Sequence, residues 1–210
     1  VGENISRRGT TGTMDLDVAI TSHHDGLVES FGHWRNMLAD AYREIGVGQL
    51  AGQYTSKGRT WNGSHLTEKF GSDFTNTFLT GVVYADNDGD DFYSIGEGSF
   101  GQVLNIAGRR DTSAAAGGYD ISITGLNGWQ TVTSGNVQVS VELQGVNVKL
   151  DFVDQSAVYT SSNISVGSGV SEIHLLGRND LTAVGGAAGE RISGNVGANT
   201  INGSAGSDTI

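Results

Sequence analysis

Gln130-Thr131-Val132-Thr133, Val137-Gln138-Val139-Ser140-Val141 and Val146-Asn147-Val148-Lys149-Leu150 are three short β-branched runs, parted by Ser134-Gly135-Asn136 and Gln144-Gly145. Valine alternates with polar residues at period two, the spacing of a strand with one face buried and one face wet. The same grammar extends outward to Gly81-Val82-Val83-Tyr84, Gln102-Val103-Leu104-Asn105-Ile106 and Tyr119-Asp120-Ile121-Ser122-Ile123. Turn residues recur every eight to fifteen positions between these runs. Short, evenly spaced, alternating strands predict an antiparallel β-sandwich over residues 80–153.

Residues 154–210 open on a Ser/Thr/Gly-rich stretch that reads as a linker, followed by the run Glu172-Ile173-His174-Leu175-Leu176-Gly177. A nine-residue period then sets in. Gly185, Gly194 and Gly203 head successive frames, Glu190, Asn199 and Asp208 stand sixth, and Ile192, Ile201 and Ile210 stand eighth. Glycine turns with an oxygen-bearing residue and an inward aliphatic predict a short parallel β-roll-like tail. Asp208 is a weaker candidate calcium ligand in this region.

Residues 1–79 differ. Leu16, Ile20, Leu27, Phe31, Trp34 and Leu38 are mostly three, four or seven apart, which predicts helix. Asp15 or Asp17 suits the helix start, and Gly26 and Gly32 are the expected breaks. Ile45-Gly46-Val47-Gly48 and His65-Leu66-Thr67-Glu68-Lys69-Phe70-Gly71 read as strands, so this segment is expected to be α plus β.

Composition narrows the function. Asp and Glu outnumber Lys and Arg 23 to 12, a net charge of −11 that argues against a nucleic-acid partner. Cysteine is absent, which excludes disulfides, thiolate nucleophiles and thiolate metal sites. No run of 18 apolar residues exists, so no membrane span is expected. Glycine is abundant, 33 of 210, as a turn-rich β protein requires. The opening Val1-Gly2-Glu3-Asn4 reads as the inside of a longer protein.

The sharpest chemical signal is Asp86-Asn87-Asp88-Gly89-Asp90-Asp91-Phe92-Tyr93-Ser94-Ile95-Gly96-Glu97. Counted from Asp86, acids fall at positions 1, 3, 5 and 12, and Phe92 at position 7 offers a backbone carbonyl. This spacing predicts a calcium loop with ligands Asp86, Asp88, Asp90, Phe92 and Glu97. It departs from an EF-hand in having glycine at position 4, Asp91 at position 6 and strand-like flanks. Without a cation, so many like charges repel and are costly to order. His23, His24, His33 and His65, with Glu3, Glu29 and Glu44, are the only enzymatic candidates, and their spacing matches no His-Glu-x-x-His, Gly-x-Ser-x-Gly or phosphate loop.

Gly2-Glu3-Asn4-Ile5, then Ser30-Phe31-Gly32-His33-Trp34-Arg35-Asn36-Met37-Leu38, then Ile45-Gly46-Val47-Gly48 and Thr67-Glu68-Lys69-Phe70-Gly71 resemble, in order, the motifs of the bacterial CAP (SCP-like) superfamily. The resemblance implies an α-β-α sandwich with a cavity lined by two histidines and two glutamates, of which Glu3 and His33 match one each. The family's first histidine and first helix lie upstream of Val1, so the domain is expected to be N-terminally incomplete. Residues 80–153 resemble the prealbumin-like B-type repeats of bacterial adhesins, in which an acidic loop binds calcium and stiffens a stalk. The tail resembles the entry to an RTX calcium-binding array, which implies type I secretion.

The fold expected is therefore an α+β, CAP-like α-β-α segment over 1–79, an all-β sandwich over 80–153, and a linker with a short β-roll-like tail over 154–210. The function expected is that of a secreted, calcium-stabilised extracellular or cell-surface protein acting without catalysis in adhesion or matrix assembly, with surface, matrix or self-association partners. The alternatives are a hydrolase or lipid or ligand binder using Glu3 and His33, and a subunit of an extracellular fibre.

Overall fold

Strands dominate the computed structural model, which describes residues 1–39, 41–72 and 75–210. The chain divides into two compact units, Val1–Phe74 and Thr75–Ile210.

In the first unit the elements run β1 (Gly2–Thr10), α1 (Leu16–Val28), α2 (Phe31–Met37), β2 (Glu44–Ser56) and β3 (Arg59–Gly71). The strands form an antiparallel sheet in the order β1-β3-β2. Asp15 caps α1 as its sequence predicts, its carboxylate accepting from the backbone N–H groups of Asp17 (3.0 Å) and Val18 (3.2 Å). The helical run breaks at Glu29-Ser30, whereas Gly26 and Gly32 stay helical. Gly26 has another use: a Cβ there would stand 2.1 Å from the guanidinium of Arg8, which reaches over α1 to donate to the Ser22 carbonyl.

His23 is fully buried between the helix and the sheet. Its Nδ1 meets Ser6 Oγ (2.8 Å) and its Nε2 meets Ser64 Oγ (3.0 Å), to which the Gln49 side-chain amide also donates (3.0 Å). Burial, then the nearby charges of Arg8 and His65, hold the imidazole below its ordinary 6.5. A depressed folded value places its stabilising contribution above 6.5 and removes it as pH falls through that folded value. Protection factors of the β1 and β3 amides, which correct the exchange rate for its intrinsic slowing at lower pH, should therefore fall on acidification below 6.5, and His23→Gln should lose that pH slope. A slope that survives the substitution would assign it elsewhere.

The second unit holds β4 (Phe78–Tyr84), β5 (Val103–Ile106), β6 (Arg109–Thr112), β7 (Gly118–Ser122), β8 (Gly128–Ser134), β9 (Val137–Leu143) and β10 (Val148–Val153). It continues through β11 (Ala157–Thr160), β12 (Ile164–Val166), β13 (Glu172–Leu175), β14 (Thr182–Val184), β15 (Arg191–Ser193) and β16 (Thr200–Asn202). Two sheets result, β15-β13-β11-β10-β4-β7 and β16-β14-β12-β9-β8-β5-β6. Their facing side chains make one core, with Leu79, Leu150, Phe152 and Ile173 from the first sheet against Leu104, Val132, Val139 and Ile164 from the second.

From β11 onward, successive strands alternate between the sheets, each pairing in parallel with the strand two before or two after it. Ala183 and Ile201 are register partners eighteen residues apart, so one nine-residue frame is half a coil. Ala183 and Ile192 point into the core, Ile201 is partly covered and Ile210 is exposed.

These observations correct the expected fold class. With 47% strand, 10% helix and two short helices, the chain is a mainly-β protein, and the expected α+β, CAP-like α-β-α segment is overturned. The helical periodicity of 16–38 yields only two short helices on one side of a long hairpin. The sandwich is also mixed rather than antiparallel, since β4 pairs in parallel with β10. Residues 154–210 continue both sheets, β11 pairing with β10 and β12 with β9, instead of forming a separate tail.

Candidate functional site

The acidic loop leaves β4 at Tyr84 and returns at Gly98, which bridges back to Tyr84. Two carboxylates organise it. Asp86 accepts backbone N–H groups from Gly89 (2.8 Å), Asp90 (3.3 Å) and Asp91 (2.9 Å), a tight turn made possible by positive φ at Gly89 and Asp91. Glu97 is buried and accepts from Asn87 through Oε1 (2.8 Å) and from Ser94 through Oε2 (2.7 Å). Asp154, in the turn after β10, accepts the Asp86 N–H (3.1 Å).

The loop is also tied to the outer face of its sheet. Tyr93 packs edge-on against Tyr84, with ring centroids 5.6 Å apart, in a small cluster with Val153, Ala157 and Tyr159. The Tyr159 hydroxyl lies 3.4 Å from Asp91 Oδ1. Burial, then the Asp91 charge, pushes this phenol up to about 12, so it stays a donor at neutral pH.

The turn geometry brings Asp86, Asp88 and Glu97 together, with one oxygen from each lying within 4.8 Å of the others. Asp90 lies outside that trio, its Oδ1 accepting the Phe92 N–H (2.8 Å), and the Phe92 side chain is largely exposed. Three converging carboxylates with no nitrogen or sulfur donor form a hard, oxygen-only set suited to calcium or magnesium. The remaining coordination would fall to backbone carbonyls and water.

The electrostatics of the trio are divided. Burial works to raise the Asp86 carboxyl, but the N–H groups of Asp91, Gly89 and Asp90 outweigh it and hold the group below its ordinary 3.8. Burial, then the charges of Asp90 and Glu97, holds Asp88 above 3.8. Ionised Asp86 therefore stabilises the loop above the ordinary range, a contribution lost as pH falls through its folded value. Ionised Asp88 opposes the fold, and that opposition is relieved as pH falls through its raised value. A cation held by the trio would compete with the Asp88 proton, so affinity for it should decline on acidification before the ordinary carboxylate range is reached. Asp88→Asn should flatten the profile when binding is measured by calorimetry across pH, and an unchanged profile would remove Asp88 from the site.

Glu3 and His33 are held apart. Asn4 faces the helices, its Nδ2 donating to the His33 carbonyl (3.1 Å) and to Glu68 Oε2 (2.9 Å). Strand alternation turns Glu3 to the opposite face, where it pairs with Lys69 at 2.5 Å. His33 Nδ1 instead meets Ser30 Oγ (2.8 Å). Of Gly2-Glu3-Asn4-Ile5, the asparagine is the buried polar residue, and only strand parity shows this.

In the coil turns, Asp208 Oδ1 accepts the Glu190 N–H (3.0 Å). Glu190 is 2% exposed, and its Oε2 has no hydrogen-bond partner among the described residues; the buried Oδ1 of Asn199 is in the same position. Both stand sixth in their frames, where the sequence places oxygens.

Comparison with known proteins brings no match from protein-family models, curated proteins or solved structures. Among the described residues, no helix is long and apolar enough to cross a membrane.

Proposed function

We propose that the chain is a calcium-stabilised module of a secreted bacterial protein, exported by a type I route and acting outside the cell or on its surface in adhesion or matrix assembly, without catalysis. The observation that carries this reading is the convergence of Asp86, Asp88 and Glu97 in a loop anchored to the sheet. A cation there would cross-link the loop's start, middle and end, stiffening the outer face of the sheet on which the loop packs. The unpartnered oxygen of buried Glu190 supports a second cation-accepting position among the coil turns, beside Asp208. A buried carboxylate oxygen without a donor is otherwise costly. The calcium-rich extracellular setting fits loops that repel themselves until a cation arrives.

Calorimetric titration of the full chain with calcium, and separately with magnesium, tests the reading. Calcium binding is expected, weakened about tenfold or more by Asp88→Ala or Glu97→Gln, each of which removes a charged ligand. Heats that are the same for both variants as for the parent chain would exclude the loop as the site.

A further inference from the structure

On the first unit's sheet, the face turned away from the helices carries three glycines in register, Gly9 on β1, Gly63 on β3 and Gly52 on β2. Tyr54 lies across that row. A Cβ on Gly9 would stand 2.2 Å from its hydroxyl oxygen, and one on Gly63 would stand 2.8 Å from its ring. The glycines are thus the floor on which the phenol rests, and any larger residue would lift it.

Two guanidinium groups sit on the aromatics of this face. Arg7 lies over the Tyr54 ring, 4.2 Å from its centroid, and Arg59 lies 4.9 Å from the centre of Trp61, the cross-strand partner of Tyr54. With Ser56 and Lys57 they line one shallow groove at the tip of the β2–β3 hairpin. Among the described residues no carboxylate forms an ion pair with Arg7, Lys57 or Arg59. In a chain with 12 Lys and Arg against 23 acids, three cations without a carboxylate partner in one groove are a local reversal of sign.

A guanidinium stacked on a ring keeps its N–H edge free and its plane oriented, ready for bidentate contact with a carboxylate or sulfate. The stacking also covers the rings, leaving no bare aromatic face of the kind on which nucleic-acid bases stack. We propose that this groove binds an acidic polysaccharide, whose carboxylate or sulfate groups seat on Arg7 and Arg59. Lys57 adds charge at the turn, and Ser56 offers a hydroxyl to the sugar. The proposal deepens the extracellular adhesive reading by giving the partner's chemistry, and it rests on that reading for its setting. Its residues are separate from the acidic loop.

Surface plasmon resonance of the full chain over immobilised polygalacturonate and, in parallel, a heparin oligosaccharide tests it and separates carboxylate from sulfate. Binding to at least one is expected at low salt, and Arg7→Gln with Arg59→Gln should weaken it at least about tenfold, the scale of one lost charge-assisted contact. Arg7→Lys with Arg59→Lys, which keeps the charge and loses the planar fork, should weaken it several-fold and guards against misfolding of the glutamine pair. Arg110→Gln, an exposed charge in the other unit, should leave binding unchanged. So should a calcium chelator, which lets the calcium reading fail without this one. No binding to either glycan, an equal loss with Arg110→Gln, abolition by chelator, or tighter binding to oligothymidylate or phosphatidylserine vesicles would overturn the proposal.

Discussion

Adding calcium to chelator-treated protein should raise the melting temperature of the Thr75–Ile210 unit by roughly 10 °C once calcium reaches about a hundred times its dissociation constant. Mass action at that excess contributes about 2.7 kcal/mol, and the unfolding entropy expected for a unit of this size converts it to that shift. The stabilisation should be confined to this unit because Asp86, Asp88 and Glu97 all belong to the loop between β4 and β5. Its physical source is twofold: the cation neutralises three converging charges and fixes the loop against Tyr84, Tyr93 and Tyr159. Asp88→Ala should remove most of the calcium-dependent shift. It should also leave the calcium-free melting temperature equal or higher, since ionised Asp88 opposes the fold. Scanning calorimetry with and without chelator reads both outcomes. Coincident melts in the parent protein would defeat the calcium reading.

Gly81→Ala should destabilise the same unit by about 3 kcal/mol, again roughly 10 °C, through forced overpacking against backbone. A Cβ on Gly81 would stand 1.9 Å from the Leu150 carbonyl oxygen, and backbone there has nowhere to go. The site is a local departure from a regular ladder. Tyr119, register partner of Gly81 on β7, donates its hydroxyl to that Leu150 carbonyl (2.5 Å), while buried Asp151 accepts the Val82 N–H (2.9 Å). Side chains thus satisfy groups that a parallel pair would otherwise bond directly, and β4, Gly81 included, is drawn close to β10. Burial, then the Asp151 charge, holds the Tyr119 phenol well above its ordinary value, so it remains a donor. Chemical denaturation of Gly81→Ala measures the loss. A variant as stable as the parent would show that β4 and β10 slip apart freely.

Much of the second unit was legible because its strands expose one face. Burial alternates along β9, from Val137 to Leu143, as its valines predict. β11 was illegible for the opposite reason. Ala157, Val158, Tyr159 and Thr160 are all buried, the core covering one face and the Tyr84 cluster lying on the other, so no period-two signal survives. Embedded in serine and threonine, the run reads as linker. Parallel pairing was hidden as well, because alternation is the same whichever way a neighbour runs.

The acidic loop shows the same division. Its spacing announces a cation site, yet Asp90 turns to the Phe92 N–H while Asp88 joins Asp86 and Glu97. In the first unit, the glutamate of Gly2-Glu3-Asn4-Ile5 is the eye-catching residue, and strand parity sends it away from His33.

By itself the sequence determines the local periods: alternating valines, a nine-residue frame and acids spaced for a loop. These are properties of a few neighbouring residues and need no partner. Tertiary structure alone decides that the chain is mainly β, that β4 lies beside β10, that three carboxylates converge and that Arg7 comes to rest on Tyr54. Each depends on segments tens of residues apart closing on one another, and the free energy that selects such a pairing belongs to the shared core rather than to either segment.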